Sequence, residues 1–154
     1  MRNDTDAEEK RLRETNRRVL AAIEAQYGPD SNEYEAAVQS AIARAEGMLR
    51  SARLLYYDTM KAAWERTTRG EASTLEHKAD LLLAGAHAAA TVAAVTEMMH
   101  GVAGTTGVYA RSPLERHFRD AHTLRHHGFM SANRFEAVGQ VYCGVPPEFE
   151  MVAF

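Results

Sequence analysis

The sequence predicts an all-α fold: an antiparallel helix bundle of four main helices followed by a short C-terminal one. Three observations lead there. Apolar residues recur with a period near 3.6 along the long segments, short alternating β-branched runs are absent, and the breaks carry helix stop and start signals. With 154 residues, 45% hydrophobic and 25% charged, the chain can bury one core and has the balance of an ordinary globular domain.

The leading helix is expected over about residues 5 to 26, with Leu12, Val19, Leu20 and Ile23 on one stripe. Its first half is so charged that it should project as an arm or dock on something outside this chain. Gly28 and Pro29 stop it, and Asn32 with Glu35 has the spacing of a capping box for the next helix. That second helix runs from 33 to about 68, roughly 50 Å at 1.5 Å per residue. Tyr34, Val38, Ile42, Met48, Leu49, Leu55, Tyr56, Met60 and Trp64 form its expected buried stripe, and Gly70 its terminator. Ser73 and Glu76 suggest the capping box of a third helix reaching about 102. Its alanine-rich middle lets neighbouring backbones approach, which places it at the centre of the bundle.

Three glycines in GVAGTTGVYA then break the pattern. Ser112, Pro113 and Glu115 restart it as cap, first-turn proline and capping-box acid. The fourth helix is expected to run to about 130 and a fifth over 133 to 142, with Gly144, Pro146 and Pro147 ending regular structure. The domain reading is therefore a charged arm over 1–30, a helical bundle over 31–145 and a tail over 146–154.

A net charge of −3 gives no support for general attraction to nucleic acid or an anionic membrane. The single Cys143 fits a reducing compartment, and the charged N-terminal stretch lacks the apolar core of a signal peptide, so a cytoplasmic location is expected. The run ADLLLAGAHAAATVAAV approaches membrane length, but Asp80 and His87 interrupt it and alanine is weakly apolar. It is read as a bundle helix.

RSPLERHFRDAHTLRHH, residues 111 to 127, crowds four arginines, two acids and four histidines together. Three readings compete. In the first it is a solvated face, with Glu115–Arg119 and Arg116–Asp120 pairing one turn apart. In the second, His122 and His126 share a face as metal ligands. A helix pair supplies only two ligands, though, Arg116, Arg119 and Arg125 repel a cation, and Glu97-x-x-His100 is the one clear di-iron-type pattern, so no metal is expected. In the third, arginines, a glycine-rich turn and histidines one turn on form a cofactor or substrate site.

From about 34 to 144 the chain resembles the C-terminal helical domain of the acyl-CoA dehydrogenase superfamily. The carrying stretch is GVAGTTGVYARSPLERHFRDA, similar to the family's glutamine-x-x-glycine-glycine-x-glycine turn followed by proline-hydrophobe-glutamate-arginine-x-aromatic-arginine-aspartate-alanine. LRSARLLYYDTMKAAWER also looks like a long helix of that domain. The family's turn glutamine aligns with Gly101 and its paired glycine with Thr105, while Gly104 and Gly107 match. The resemblance implies that this turn reaches the flavin of a neighbouring subunit, so Gly104, Thr105, Gly107, Arg116, Arg119 and His122 are the implied cofactor-side residues.

The departures point to one branch. In the dehydrogenases a tyrosine-glutamate-glycine triplet follows this helix, and its glutamate removes the substrate's α-proton. That position falls on Gly128, which has no proton-accepting group. Arg119-Asp120-x-His122-x-x-x-x-His127 instead resembles the flavin-dependent monooxygenases that share the fold. There a histidine at the His127 position lies beside the flavin and assists oxygen activation, a task suited to a side chain that titrates near neutrality. His127 is thus the implied catalytic residue. His126 is expected to pack or face solvent, His77 and His87 to be structural, and the role of His100 stays open.

Family members normally carry further domains that complete the flavin pocket. Alone, this chain is expected to be inactive and to hold flavin (FAD or FMN) weakly, with an exposed apolar wall that favours a homodimer or homotetramer. A flavin reductase or a complementary flavoenzyme subunit is a possible partner. Two alternatives stay open: a non-catalytic helical oligomerisation or partner subunit of a split flavoenzyme, and dehydrogenation with a base from elsewhere, Glu97 being the nearest candidate.

Overall fold

In a computed structural model of the chain, the described residues are 14, 17, 18, 21, 32–104, 107, 109 and 112–147; side chains are described from 35 onward within the first long helix. Those up to Ala45 belong to one compact unit and those from Glu46 to a second. Of the leading segment, Glu14, Arg17, Arg18 and Ala21 are helical and exposed, with Arg18 Nη2 2.8 Å from Glu14 Oε1. The rest of the expected arm, and the tail beyond 147, lie outside the described residues.

Four helices are described: α1 (Asn32–Thr68), α2 (Leu75–Ala103), α3 (Pro113–Leu124) and α4 (Asn133–Tyr142). All described secondary structure is helical, as the periodicity predicts. The stop signals act as read. Past α1, the Gly70 amide donates to Thr67 O (3.0 Å) and the Glu71 amide to Arg66 O (3.1 Å), the paired bonds that close a helix C-terminus. The end of α4 repeats this, with the Gly144 amide on Val141 O (3.0 Å) and the Val145 amide on Gln140 O (2.8 Å).

One start signal shifts. The cap of α2 is Thr74, whose hydroxyl accepts from the His77 amide at 3.3 Å while the Thr74 amide donates to His77 Nδ1 at 3.2 Å. Ser73 and Glu76 have the same spacing one residue earlier, and His77 fills the place usually taken by Glu or Gln. Glu76 is held below its usual range first by a backbone hydrogen bond and then by the Thr74 hydroxyl. In α1, Glu35 accepts from Gln39 Nε2 (3.1 Å), and the side chain of its expected partner Asn32 lies outside those described.

The expected stripe of α1 needs correcting. Its buried residues are Val38, Ala45 and Ala52, two heptads of small side chains, while Leu55, Met60 and Trp64 are exposed. Helix α2, by contrast, buries Ala79, Leu82, Ala84, Ala86, Ala89, Thr91, Ala93 and Val95, positions spread around more than one face. This is the pattern of a central helix. Its composition would also suit a membrane span. Here α3 and α4 lie along it.

The order of contacts gives the topology. Phe118 of α3 meets His100, the carbonyl of Phe129 stands 3.9 Å from where a Gly85 Cβ would be, and Val138 and Val141 of α4 pack with Ala79 and Leu82. As the sequence advances from 118 to 141, its partner on α2 recedes from 100 to 79. The α3–turn–α4 segment therefore returns antiparallel along α2. At the far end Tyr142 donates to the Asp80 carboxylate at 2.8 Å. Partial burial first, and the Asp80 carboxylate next, push the Tyr142 hydroxyl up to about 12.

Candidate functional site

The site is built where α2 ends, α3 begins and the turn after α3 folds back. At the end of α2, Gly104 has φ 53° and ψ −139°, a conformation that side-chain-bearing residues avoid, and its amide donates to Gly101 O. Gly107 is buried against the last turn of α2. A Cβ there would stand 3.2 Å from His100 Cδ2 and 3.3 Å from His100 O, so a larger residue would push His100 by a few tenths of an ångström. Thr105 and Arg111 lie outside the described residues.

Helix α3 starts as its sequence predicts. The Ser112 hydroxyl accepts from the Leu114 amide at 3.3 Å, with Pro113 in the first turn. Glu115 does not close a capping box but faces Arg119 Nη1 at 3.6 Å, and Arg116 Nε stands 3.4 Å from Asp120 Oδ2. Both arginines are exposed. Pairs of this kind are worth a few tenths of a kcal/mol and open easily, so the two cations can change partners without disturbing the fold.

The opposite side of α3 carries rings. Phe118 lies between two imidazoles: His100, with centroids 4.9 Å apart and planes at 41°, and His122, stacked at 4.1 Å and 27°. His122 Nδ1 is also 2.9 Å from the Phe118 carbonyl oxygen. The structure thereby gives His100 a place in the site, joined to His122 through Phe118. Of the charged face read from sequence, His117 is exposed.

The expected extension of α3 to 130 does not occur: the helix ends at Leu124. Beyond it the amides of His126 and His127 donate to Thr123 O (3.1 Å) and Leu124 O (2.9 Å), three residues back rather than four, and the Met130 amide bonds His127 O (2.9 Å). Arg134 Nε fastens the turn by donating to Gly128 O at 2.6 Å. Gly128, a weak helix former in the middle of an otherwise helix-compatible run, is the sequence signal that marks this stop.

The turn holds His127 exposed, its ring 6.1 Å from that of Phe129. The Phe129 amide donates to His127 Nδ1 at 3.4 Å. An amide can only donate, so Nδ1 is the unprotonated nitrogen, and the neutral ring carries its hydrogen on Nε2. His126 is exposed beside it, in keeping with a solvent-facing role. Glu97 is exposed on α2, one turn before His100. Next to the turn, Leu124 and Met130 help line an open apolar cleft of about 250 Å³, with Leu49 and Tyr56 of α1 and Ala89 and Val92 of α2 on its other walls.

The sequence-derived residues thus fall in three groups. Gly107, His100 and His122 come together around Phe118. His127 stands apart on the following turn, and Arg116 and Arg119 lie along the exposed side of α3. Phe118 and Arg134 were not singled out from sequence. The spacing of four between Phe118 and His122 is the signal for one, while Arg134 bonds a carbonyl and leaves no pattern.

The chain is 34% identical over 106 residues to the indole-3-acetate monooxygenase of Pseudomonas putida, covering 69% of this chain and 27% of that protein. It is 32% identical over 109 residues to the enzyme of the same name from Acinetobacter baumannii, covering 71% of this chain and 28% of that one. It thus spans little more than a quarter of the length of these relatives. The family model described as the C-terminal domain of acyl-CoA dehydrogenase matches residues 9–132, a stretch that holds all of α1, α2 and α3 and the turn with His127. The chain belongs to the acyl-CoA dehydrogenase C-terminal-domain family.

Proposed function

We propose that this chain is the helical domain of a flavin-dependent monooxygenase, with His127 as a hydrogen-bond donor beside the flavin and α1 as part of an oligomer interface. The carrying observation is the state of His127. Its Nδ1 is occupied by the Phe129 amide, the ring is exposed, and the outward nitrogen carries the hydrogen. A neutral donor of this kind suits an electron-rich oxygen or nitrogen on a ligand edge. Gly128 next to it supplies no base. Two relatives that are themselves monooxygenases support the same reading.

The described residues fit a flavin along one side only. Gly104 and Gly107 carry no side chains, Arg116 and Arg119 offer exposed cations that can be released from their acids, and His127 offers a donor. These residues, with Thr105 and His122, would hold the group from the helical side. Bound reduced flavin, FMN or FAD, supplies the electrons for oxygen activation. The chain's own part is to hold a proton at His127 Nε2, to keep that ring out of the helix and to balance negative charge with the arginines.

The test combines this chain with the complementary domains of the fold and follows oxidation of reduced flavin by oxygen. His127→Ala should lower the rate by about 100-fold or more, the usual weight of one positioned acid–base group. A wild-type rate would remove the role.

A second reading is favoured by one observation. Leu54, Tyr57 and Trp64, at helical spacings of three and seven, form an exposed apolar row on α1. That row supports a homodimer or tetramer and equally suits a non-catalytic helical subunit that assembles with a flavoenzyme. Light scattering with absorbance at the flavin bands separates the two: a colourless oligomer indifferent to added flavin favours the subunit.

A further inference from the structure

We infer that His100 and Phe118 are positioning residues that fix His122 as a hydrogen-bond acceptor, so that His122 and His127 offer opposite chemistry from the same short segment. The Phe118 carbonyl can only accept, so the His122 nitrogen 2.9 Å away, Nδ1, must carry the hydrogen. In the neutral ring Nε2 then holds the lone pair. This is the reverse of His127, whose Nδ1 accepts from the Phe129 amide and whose Nε2 bears the hydrogen.

Packing keeps this choice in place. The His122 ring is stacked 4.1 Å from Phe118, and Phe118 in turn meets His100 at 4.9 Å. His100 is confined in turn, since Gly107 passes so near that a methyl group would come within 3.2 Å of its ring. A continuous line of contacts runs from the glycine turn through His100 and Phe118 to His122. An imidazole free in water exchanges between its two neutral forms; one trapped by a carbonyl on one nitrogen and a ring on its face does not. The ligand group that His122 takes is therefore an N–H or O–H donor and not a phosphate, which needs donors.

This deepens the flavin reading by giving His122 a defined role on the cofactor side, yet it is read on the 154-residue chain alone. Imidazole nitrogen NMR on the histidine-labelled protein, at mildly alkaline pH, reports which nitrogen is protonated. His122 should appear as the Nδ1–H form and His127 as the Nε2–H form; His122 as Nε2–H or as a mixture overturns the assignment. Phe118→Leu should release His122 into exchange and shift the Gly107 amide signal, whereas Phe118→Tyr keeps both as in the wild type. An unmoved spectrum in Phe118→Leu refutes the positioning role. Inorganic phosphate should leave the His122 nitrogens unshifted, and a saturable shift would overturn the acceptor reading. Loss of the flavin role for His127 leaves these signals unchanged, so the two proposals fail separately.

Discussion

Helices α1 and α2 run side by side in sequence and use apolar residues in opposite ways. Helix α2 is built from alanine and hides it: Ala84 and Ala86 are both 0% exposed. Among its described side chains, helix α1 hides only Val38, Ala45 and Ala52 while showing Leu54 at 73% and Trp64 at 72%. Size explains the division. Small side chains let α3 and α4 come close to α2, and these contacts lie within the chain. The large side chains of α1 find no such neighbour among the described residues, and a row of them facing outward marks a surface that another polypeptide can cover.

Three substitutions break or sharpen this contrast. The largest effect is expected from Ala86→Leu, which adds bulk where there is no free surface. It should lower stability by about 2 kcal/mol or more, read from urea or thermal unfolding, and an unchanged midpoint would mean that α2 is not closely packed. Next, Leu54→Glu with Trp64→Glu should change the unfolding free energy of the chain itself by no more than about 0.5 kcal/mol per site. It should nevertheless abolish self-association in light scattering. An oligomer that survives both charges would place the proposed interface elsewhere.

The smallest effect concerns the tie between α4 and α2. Tyr142→Phe removes the bond to Asp80, and since Tyr142 is 56% exposed the loss should stay below about 1 kcal/mol. Its pH signature has a fixed sign. The folded-state hydroxyl is raised to about 12, so its contribution is present below the unfolded value near 10 and is lost as pH rises through about 12. In Tyr142→Phe that alkaline decline should flatten. Parallel unfolding curves for the two proteins across this window would show that the hydroxyl contributes nothing.

What the sequence made legible is local. Gly70, Ser112 with Pro113, and Gly144 mark ends whose hydrogen bonds lie within a few residues, and each acts as read. The capping residue of α2 is displaced by one because Ser73 and Thr74 are chemically equivalent caps, and His77 can accept a backbone hydrogen bond as Glu76 could. Trp64 was expected inside because periodicity reports which face is apolar and not whether the same chain covers it. The early end of α3 depends on Gly128 and on a side chain six residues away, Arg134. The contact between His100 and Phe118 depends on which turns of α2 and α3 meet, and no one-dimensional pattern encodes that. The family motif located the segment, but only the fold divides its histidines into a packed ring and an exposed one.

The early end of α3 has a consequence for position 128. The arch from Leu124 to Met130 keeps its shape through its own amides and carbonyls and one arginine on the Gly128 carbonyl, so no side chain at position 128 is needed to hold it. Open space surrounds the point where a Cβ would sit on Gly128, and its backbone is not in the left-handed region, so a larger residue is sterically welcome. Under the proposed function, this spot can carry a proton-removing carboxylate or none, beside the His127 imidazole, while the helices underneath keep still. A side chain here rides on an arch rather than in the core, so it can change without repacking the helices.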